Sequence, residues 1–224
     1  YVIMRGNGSS QSEYPLVIAH EDNTDIFVNG SSTPITTLNA GNYFLIPDSN
    51  FQGVGSNKNM YINSSKPVFL YQIVAGSLSD ATTGFYFIPP LNCFWQKSVD
   101  AIPEFNRIGS STYSDSRIII ATETGSTVNI NGAPITTSPI TVAGNANWVT
   151  YNVPNLSGDV SVVSTGAIAV GVFGTDGMNA GYGGYFSGFG ALPKDSETTI
   201  CSNSIVNLFE RIPGNPETNG TRLF

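Results

Sequence analysis

The chain has 224 residues, of which 40% are hydrophobic and 11% are charged, and its formal net charge is −7. Thirteen Phe and 10 Tyr residues supply enough apolar surface to offset the entropy cost of ordering, which excludes an intrinsically disordered chain. The nine Lys and Arg residues are too few for the basic surface that nucleic acid or an anionic membrane requires. No apolar run approaches the roughly 18 residues of a membrane-spanning helix, so no membrane insertion is predicted.

In the first half of the chain, strands are predicted at residues 16–19, 24–28, 43–46 and 68–74. The first of these is a short apolar run typical of a buried strand. The second alternates in hydrophobicity, which places Ile26 and Val28 on the core face. Asn29 and Gly30 follow, and Asn-Gly is the strongest short signal of a β-hairpin. No stretch has the apolar spacing of an amphipathic helix over three turns.

The second half repeats this pattern, with strands predicted at residues 118–121, 126–130, 148–153 and 168–173. Val128 and Ile130 are expected on the core face, and Asn131-Gly132 marks the hairpin. Residues 15–30 align with residues 117–132 without a gap, at a period of about a hundred residues. The sequence therefore predicts an all-β fold of two tandem, related β-sandwich lobes, formed by duplication. The predicted divisions are 1–102, 103–193 and a linker-like tail or start of a further module at 194–224.

The two halves differ after their last shared strand, at residues 80–93 and 176–189, and we expect a binding site there first. The candidate ligand contacts are Asp80, Asp176, Tyr182, Tyr185 and Phe186. Tyrosine presents a flat apolar ring with a polar tip, which suits stacking on sugars or packing on a protein. The alternative is that these rings fill the gap between the lobes. Tyr71 and Gln72, in the preceding strand, are expected in the core.

The sequence offers little for catalysis, and no enzyme is predicted. The one histidine, His20, aligns with Thr122, which favours an exposed or turn position. Motifs of a serine nucleophile and of a zinc protease are absent. A glycosidase-type carboxylate pair remains a less favoured alternative. Its candidate members are Asp80, Asp100, Glu104 and Asp176.

Two loops and two cysteines leave further alternatives open. Residues 21–25 and 176–179 offer oxygen ligands of the kind Ca²⁺ prefers, but Asp and Asn are also typical turn residues. No cofactor is predicted. Glu21 and Glu123 occupy equivalent positions, where a carboxylate can accept hydrogen bonds from backbone amides.

Cys93 and Cys201 either form one disulfide, worth on the order of 4 kcal/mol by the chain-entropy account, or remain separate buried thiols.

A family resemblance rests on motifs that follow the last predicted strand of the first half. They are Val68-Phe69-Leu70-Tyr71-Gln72, Gly76-Ser77, Asp80, Phe87-Ile88-Pro89-Pro90-Leu91-Asn92-Cys93, Val99-Asp100, Ile102-Pro103 and the Tyr-Gly-rich residues 181–185. In this order they resemble the N-terminal domain family named after the IgG Fc-binding mucus protein. Its members occur in animal secreted proteins and in very large bacterial surface proteins. The tail, with Pro213-Gly214-Asn215-Pro216, is similar to spacer repeats of giant Bacteroidetes adhesins that carry gliding-type secretion signals.

The resemblance implies an extracellular, non-catalytic adhesion or binding module within a large multidomain cell-surface or secreted protein. Its partner would be a host or surface glycan or glycoprotein. A second possibility is a structural spacer or filament subunit that contacts neighbouring copies of the same protein. The resemblance does not imply Fc binding, because the family has no agreed ligand site to transfer to this chain.

Overall fold

The computed structural model describes residues 1–5, 13–55, 57–74, 84–176 and 179–186. Strands dominate these ranges, joined by turns and one 3-10 segment, Asp48–Asn50, which confirms the predicted all-β fold. Within them, no helix is long and apolar enough to span a bilayer.

The strands of the first half are β1 (Val2–Met4), β2 (Pro15–Ala19), β3 (Thr24–Val28), β4 (Thr36–Leu38), β5 (Tyr43–Leu45), β6 (Gln52–Val54), β7 (Asn57–Ser64), β8 (Val68–Val74) and β9 (Gly84–Phe87). Those of the second half are β10 (Ser98–Ile102), β11 (Arg107–Ile108), β12 (Ser111–Thr112), β13 (Asp115–Glu123), β14 (Val128–Ile130), β15 (Ala133–Pro134), β16 (Ile140–Thr141), β17 (Trp148–Pro154), β18 (Val160–Ser164), β19 (Ile168–Asp176) and β20 (Asn179–Phe186).

These strands pair antiparallel in four larger sheets and one small hairpin of β11 and β12. Sheet A has the order β1-β7-β3-β4, with β6 also paired to β7, and sheet B has the order β5-β2-β8-β9. Sheet C has the order β10-β18-β14-β15, and sheet D has the order β16-β17-β13-β19-β20.

The strand order of the first half recurs in the second. When β6, β11, β12 and β16 are left aside, sheet A matches sheet C and sheet B matches sheet D, strand for strand. This agreement supports the predicted duplication. The divisions at 1–102 and 103–193 remain predictions, and residues 194–224 lie outside the described residues.

The Asn-Gly pairs form the turns that the sequence predicts. Asn29 and Asn131 have positive φ angles of 53° and 50°, which Asn tolerates better than most residues. Each asparagine side chain also accepts from a backbone amide of the next strand in the sheet. Asn29 Oδ1 accepts from Tyr61 N at 3.0 Å, and Asn131 Oδ1 accepts from Ser161 N at 2.8 Å. The asparagine thus has the same role in both halves.

One core lies between sheets A and B, and a second lies between sheets C and D. The predicted inward residues Ile26 and Val28 are buried in the first core. Val128 and Ile130 are buried in the second. The alternation predicted for these strands is therefore confirmed.

A third core joins sheet A to sheet D. Val2 and Met4 of β1 pack there with Ile119 of β13, and the rings of Trp95 and Trp148 meet edge to face at 5.4 Å. Polar contacts follow the same seam, since Asn59 Nδ2 of β7 donates to Thr150 Oγ1 of β17 at 2.8 Å. Sheet A thus packs on sheets B and D, sheet D packs on sheet C, and β20 at the edge of sheet D also approaches β8 and β9 of sheet B. The outer faces of sheets B and C point away from these contacts and lie at the two ends of the stack.

Strands β2 and β13 differ in burial, although both are predicted to be buried. In β13, Ile118 faces the second core and Ile119 faces the third, so both sides are covered. In β2, Val17 is buried but Leu16 and Ile18 are only half-buried, because no described residues cover the outer face of sheet B.

The gapless alignment pairs Val17 with Ile119, yet these residues face different cores. The strands are therefore offset by one residue relative to that alignment.

Candidate binding surface

The outer face of sheet B is built from apolar side chains. Its members are Leu16 and Ile18 on β2, Tyr43 and Leu45 on β5, Phe69, Tyr71 and Ile73 on β8, and Phe85 and Phe87 on β9. The strand register aligns them in rows. Leu16 pairs with Leu45 on one side and with Tyr71 on the other, and Tyr71 pairs with Phe87. We call these nine residues the aromatic face.

Gln72 determines which residues of β8 point outward. Its side chain is fully buried, where Nε2 donates to Met4 O at 2.9 Å and Oε1 accepts from the Tyr86 hydroxyl at 3.0 Å. Because neighbouring residues of a strand point to opposite faces, Tyr71 and Ile73 must point away from the core. The prediction of a core position is confirmed for Gln72 and wrong for Tyr71.

The rings of the aromatic face meet edge to face. Tyr71 lies 5.6 Å from Phe85 at 81° and 5.8 Å from Phe87 at 72°, measured between ring centroids and ring planes. The exposed His20 ring stands at 89° to Phe69 at the margin of the face, 6.3 Å away. Steep interplanar angles give a ridged surface and not a flat platform.

The aromatic face is large for a surface in contact with water. Tyr43 and Phe85 expose 66% and 65% of their area, and Phe69, Phe87 and Leu45 expose 42–49%. With 150–250 Å² for a whole aromatic side chain, these five residues present roughly 500 Å² of apolar surface. Contiguous patches of several hundred Å² often mark sites of interaction.

The aromatic face carries no charge, since all nine of its side chains are aliphatic or aromatic. The chain as a whole has a net charge of −7. The only polar atoms that these side chains offer are the hydroxyls of Tyr43 and Tyr71. Apolar contact is therefore the main interaction available to a ligand here.

Tyr182, a predicted ligand contact, is partly buried beside the second core. Its ring covers Gly174, its pairing neighbour on β19. The hydroxyl donates to Phe105 O, and the ring meets that of Tyr113 edge to face at 5.2 Å. Burial raises the pKa of Tyr182.

Tyr185 packs against the first and third cores, over its pairing neighbour Gly171. Its ring lies 5.6 Å from that of Tyr86. Burial, with a smaller contribution from the carboxylate of Glu13, raises the pKa of Tyr185. Tyr182 and Tyr185 thus both fill space between packed elements, which is the alternative that the sequence left open, and their role as ligand contacts stays a prediction.

The remaining candidates do not join these rings in a single described cluster. Asp176 is exposed at the end of β19 and accepts from Ser114 Oγ at 2.8 Å. Phe186 ends β20, but its side chain lies outside what the structure describes, as does Asp80 entirely. Of the carboxylates considered for glycoside hydrolysis, Glu104 pairs with Arg107 at 3.2 Å. Asp100 is exposed on β10.

The acidic loop at residues 21–25 is occupied with turn contacts. Asp22 Oδ1 accepts from Ala40 N at 2.9 Å, and Asp25 Oδ1 accepts from Thr37 Oγ1 at 2.6 Å. Across the described ranges, no three His, Cys, Asp or Glu side chains are grouped to hold a metal ion. Glu123 Oε2 accepts from Ala167 N at 3.0 Å, as predicted for a carboxylate at this turn.

Cys93 is half-buried in the segment between β9 and β10, and the described part of the chain contains no cysteine with a free thiol. Cys201 lies outside the described residues. The pairing of these two cysteines therefore stays a prediction.

The aromatic face lies wholly inside the range that one protein family matches. A sequence model described as IgGFc binding protein matches residues 1–174. The chain belongs to the IgGFc-binding family. This confirms the resemblance drawn from the sequence motifs. Comparisons with curated proteins and with solved structures found no match.

The range 80–93, where the sequence places a binding site first, includes Phe85 and Phe87, but sequence reasoning missed the other members of the aromatic face, although a signal was present. In β2 and β8, apolar residues occupy the positions of both faces, as in a strand that is buried on both sides. The same pattern in β13 does correspond to burial on both sides. Only the stacking of the sheets distinguishes β13, which is covered on both sides, from β2 and β8, which are covered on one side.

Proposed function

We propose that this chain is a non-catalytic extracellular module that binds a protein partner through the aromatic face. The observation that carries the proposal is the uncharged, ridged apolar surface on sheet B, which no described residues cover. Membership of a family described by an Fc-binding protein supports both the extracellular setting and a protein partner.

The arrangement of the rings favours a protein over a glycan. Sugar recognition by stacking uses exposed flat rings together with polar groups for the sugar hydroxyls. Here Tyr71 stands steeply to Phe85 and Phe87, and two hydroxyls are the only polar atoms of the nine side chains. Protein side chains can fit between such rings, and aromatic residues are enriched in the buried centres of protein interfaces.

The module belongs, in this proposal, to a larger cell-surface or secreted protein. It comprises two lobes, predicted at 1–102 and 103–193, followed by a linker or a further module at 194–224. Pairing of β10 with β18 favours a boundary just before Ser98 instead. The repeated strand order supports the duplication. The low share of charged residues, 11%, fits a surface made polar by hydroxyls and amides, as is common outside the cell.

Binding of the labelled chain to immobilised probes tests the proposal. The probes are an IgG Fc fragment, a panel of secreted proteins that includes the chain itself, and a glycan array. Phe69→Ser combined with Phe85→Ser should abolish binding to a protein probe. Val54→Ser, which removes an exposed apolar side chain on β6, should leave binding intact. Binding confined to glycans, or unchanged by the double substitution, contradicts the proposal.

A further inference from the structure

The protein that covers the aromatic face can be identified from the way this chain packs on itself. Sheet D occupies the same place in the second half as sheet B does in the first. Its outer face is already covered by other parts of the same chain, since Ile119 shares the third core with Val2 and Met4 of sheet A, and Phe173 is buried in the first core. In the second half, the outer face of the sheet equivalent to sheet B is therefore an interface between sheets of the same chain.

The two outer faces are made of different side chains. Where sheet A approaches, sheet D presents the small residues Ala121 and Ala169 between the larger, buried side chains of Ile119 and Trp148. Sheet B presents the rings of Phe69 and Phe87, of which about half the area is exposed. Such rings need a counterpart with apolar ridges and grooves of similar depth.

The other end of the stack does not provide that counterpart. The outer face of sheet C carries Ser98 and Asp100 on β10, and Ser161 and Val163 on β18. Packing this face on the rings of a second copy would bury the Asp100 carboxylate against apolar surface, which is costly without a paired charge. A head-to-tail contact between copies is disfavoured for this reason.

We propose that two copies of this chain associate through their aromatic faces about a two-fold axis. This inference rests on the proposed function, because it names the partner of the same surface. Each copy carries a net charge of −7, and an uncharged face is where two such copies approach with least repulsion. A two-fold contact uses the same patch on both copies, so the ridged face needs only to match itself.

The available area is sufficient for such a pair. Two faces bring together about 1,000 Å² of apolar surface from their five most exposed residues. The half-buried members of the face, such as Ile18 and Tyr71, and the rim around them add to this. Stable interfaces bury about 1,200–2,000 Å² in total, so the five most exposed residues of each copy supply most of the area at the lower end of this range.

Sedimentation of the whole chain over a wide range of concentration tests the inference. The wild type should reach the mass of a dimer and stop there, since a two-fold contact closes on itself. Tyr43→Ser combined with Phe85→Ser should weaken the dimer by roughly tenfold or more, as expected for central aromatic contacts. The matched control, Val54→Ser combined with Val163→Ser, removes exposed apolar side chains elsewhere and should leave the dimer unchanged.

The substituted side chains are exposed, so the variants are expected to fold. Circular dichroism of each variant checks this. A wild type that stays monomeric at every concentration overturns the inference. So does a mass that grows beyond the dimer, a dimer that survives the Tyr43 and Phe85 substitutions, or a dimer lost in the control. A monomeric wild type that binds a different immobilised protein through the aromatic face overturns the self-association alone and leaves the proposed function standing.

Discussion

Alanine at Gly30 is expected to destabilise the protein more than alanine at Gly132. These glycines sit in equivalent Asn-Gly turns, with φ angles of 77° and 78°, so backbone strain costs the same at both, about 1–2 kcal/mol. Their surroundings differ. A Cβ on Gly30 would lie 2.6 Å from the Cα of Gly144, whereas a Cβ on Gly132 would meet nothing within 4 Å.

The magnitude follows from the kind of atom that is struck. The Cα of Gly144 is part of the backbone and cannot rotate away, so the turn or the seam between the two halves must shift. Overpacking of this kind costs about 1–3 kcal/mol beyond the strain. Gly30→Ala should therefore lose about 2–5 kcal/mol and Gly132→Ala about 1–2 kcal/mol. For a protein of this size, the difference corresponds to roughly 2–12 °C in Tm.

A second matched pair repeats the comparison from the other side of the contact. Gly41 and Gly144 stand in matching Ala-Gly-Asn segments of the two halves, at residues 40–42 and 143–145. Their φ angles are 78° and 81°, and of the two only Gly144 has a close neighbour, the backbone of Gly30. Urea and thermal unfolding of the four alanine variants provides the measurement. Losses at Gly30 and Gly144 no larger than those at Gly132 and Gly41 would show that the two halves do not touch at these turns.

Three further predictions concern the strands, the buried tyrosines and the cysteines. Gly171→Ala would place a Cβ 2.5 Å from Cγ1 of the buried Ile119, so urea unfolding should show a loss of about 1–3 kcal/mol. A Cβ added at Gly184 would meet nothing within 4 Å, so Gly184→Ala should leave the unfolding free energy unchanged. Equal losses of stability in the two variants would contradict the packing around Gly171. Burial raises the pKa of Tyr185 above the unfolded value of 10.0. The stability that this shift contributes is therefore complete below about pH 10 and is lost above it. Between about pH 9 and pH 11 the unfolding free energy should fall more steeply in the wild type than in Tyr185→Phe, and parallel curves would argue against the shift. Mass spectrometry after alkylation should find Cys93 and Cys201 unmodified until the protein is reduced, and modification without reduction would refute their pairing.

The features that the sequence predicts correctly depend on local signals. The strand at residues 68–74 is found with the predicted bounds as β8. The inward positions of Ile26 and Val28 follow from alternation alone. Both hairpins follow from Asn-Gly, because these residues accept the positive φ angles that the turns need. Such signals involve neighbours in the chain and need no knowledge of tertiary packing.

The glycines of β19 show where local signals are insufficient. From the sequence, Tyr182 and Tyr185 are candidate ligand contacts. In the structure, Gly171 and Gly174 lie beneath the rings of Tyr185 and Tyr182, which are their pairing neighbours on β20. That relation depends on the register between two strands, which includes a shift between Gly174 and Thr175. A sequence pattern does not specify such a register.

The sequence alone does not show that the aromatic face is uncovered, for a related reason. An apolar run such as β2 or β13 indicates only that both faces of a strand avoid water. For β13, sheet A covers the second face, and residues far apart in the chain, such as Val2 and Ile119, share one core there. For β2 no described element does so, and its outward residues remain half-buried beside exposed rings.

The recurring strand order gives two equivalent sheets, B and D, whose outer faces differ in what covers them. The outer face of sheet D is tied to sheet A, and Gly171 shows how little room it has, since even a methyl group would collide with Ile119. The corresponding face of sheet B has no such neighbour among the described residues, so bulky rings fit there without disturbing a core. An apolar surface of this size exposed to water favours aggregation unless something covers it. Its presence on a folded module is best explained by a partner, and self-association would supply that partner wherever the chain itself is present.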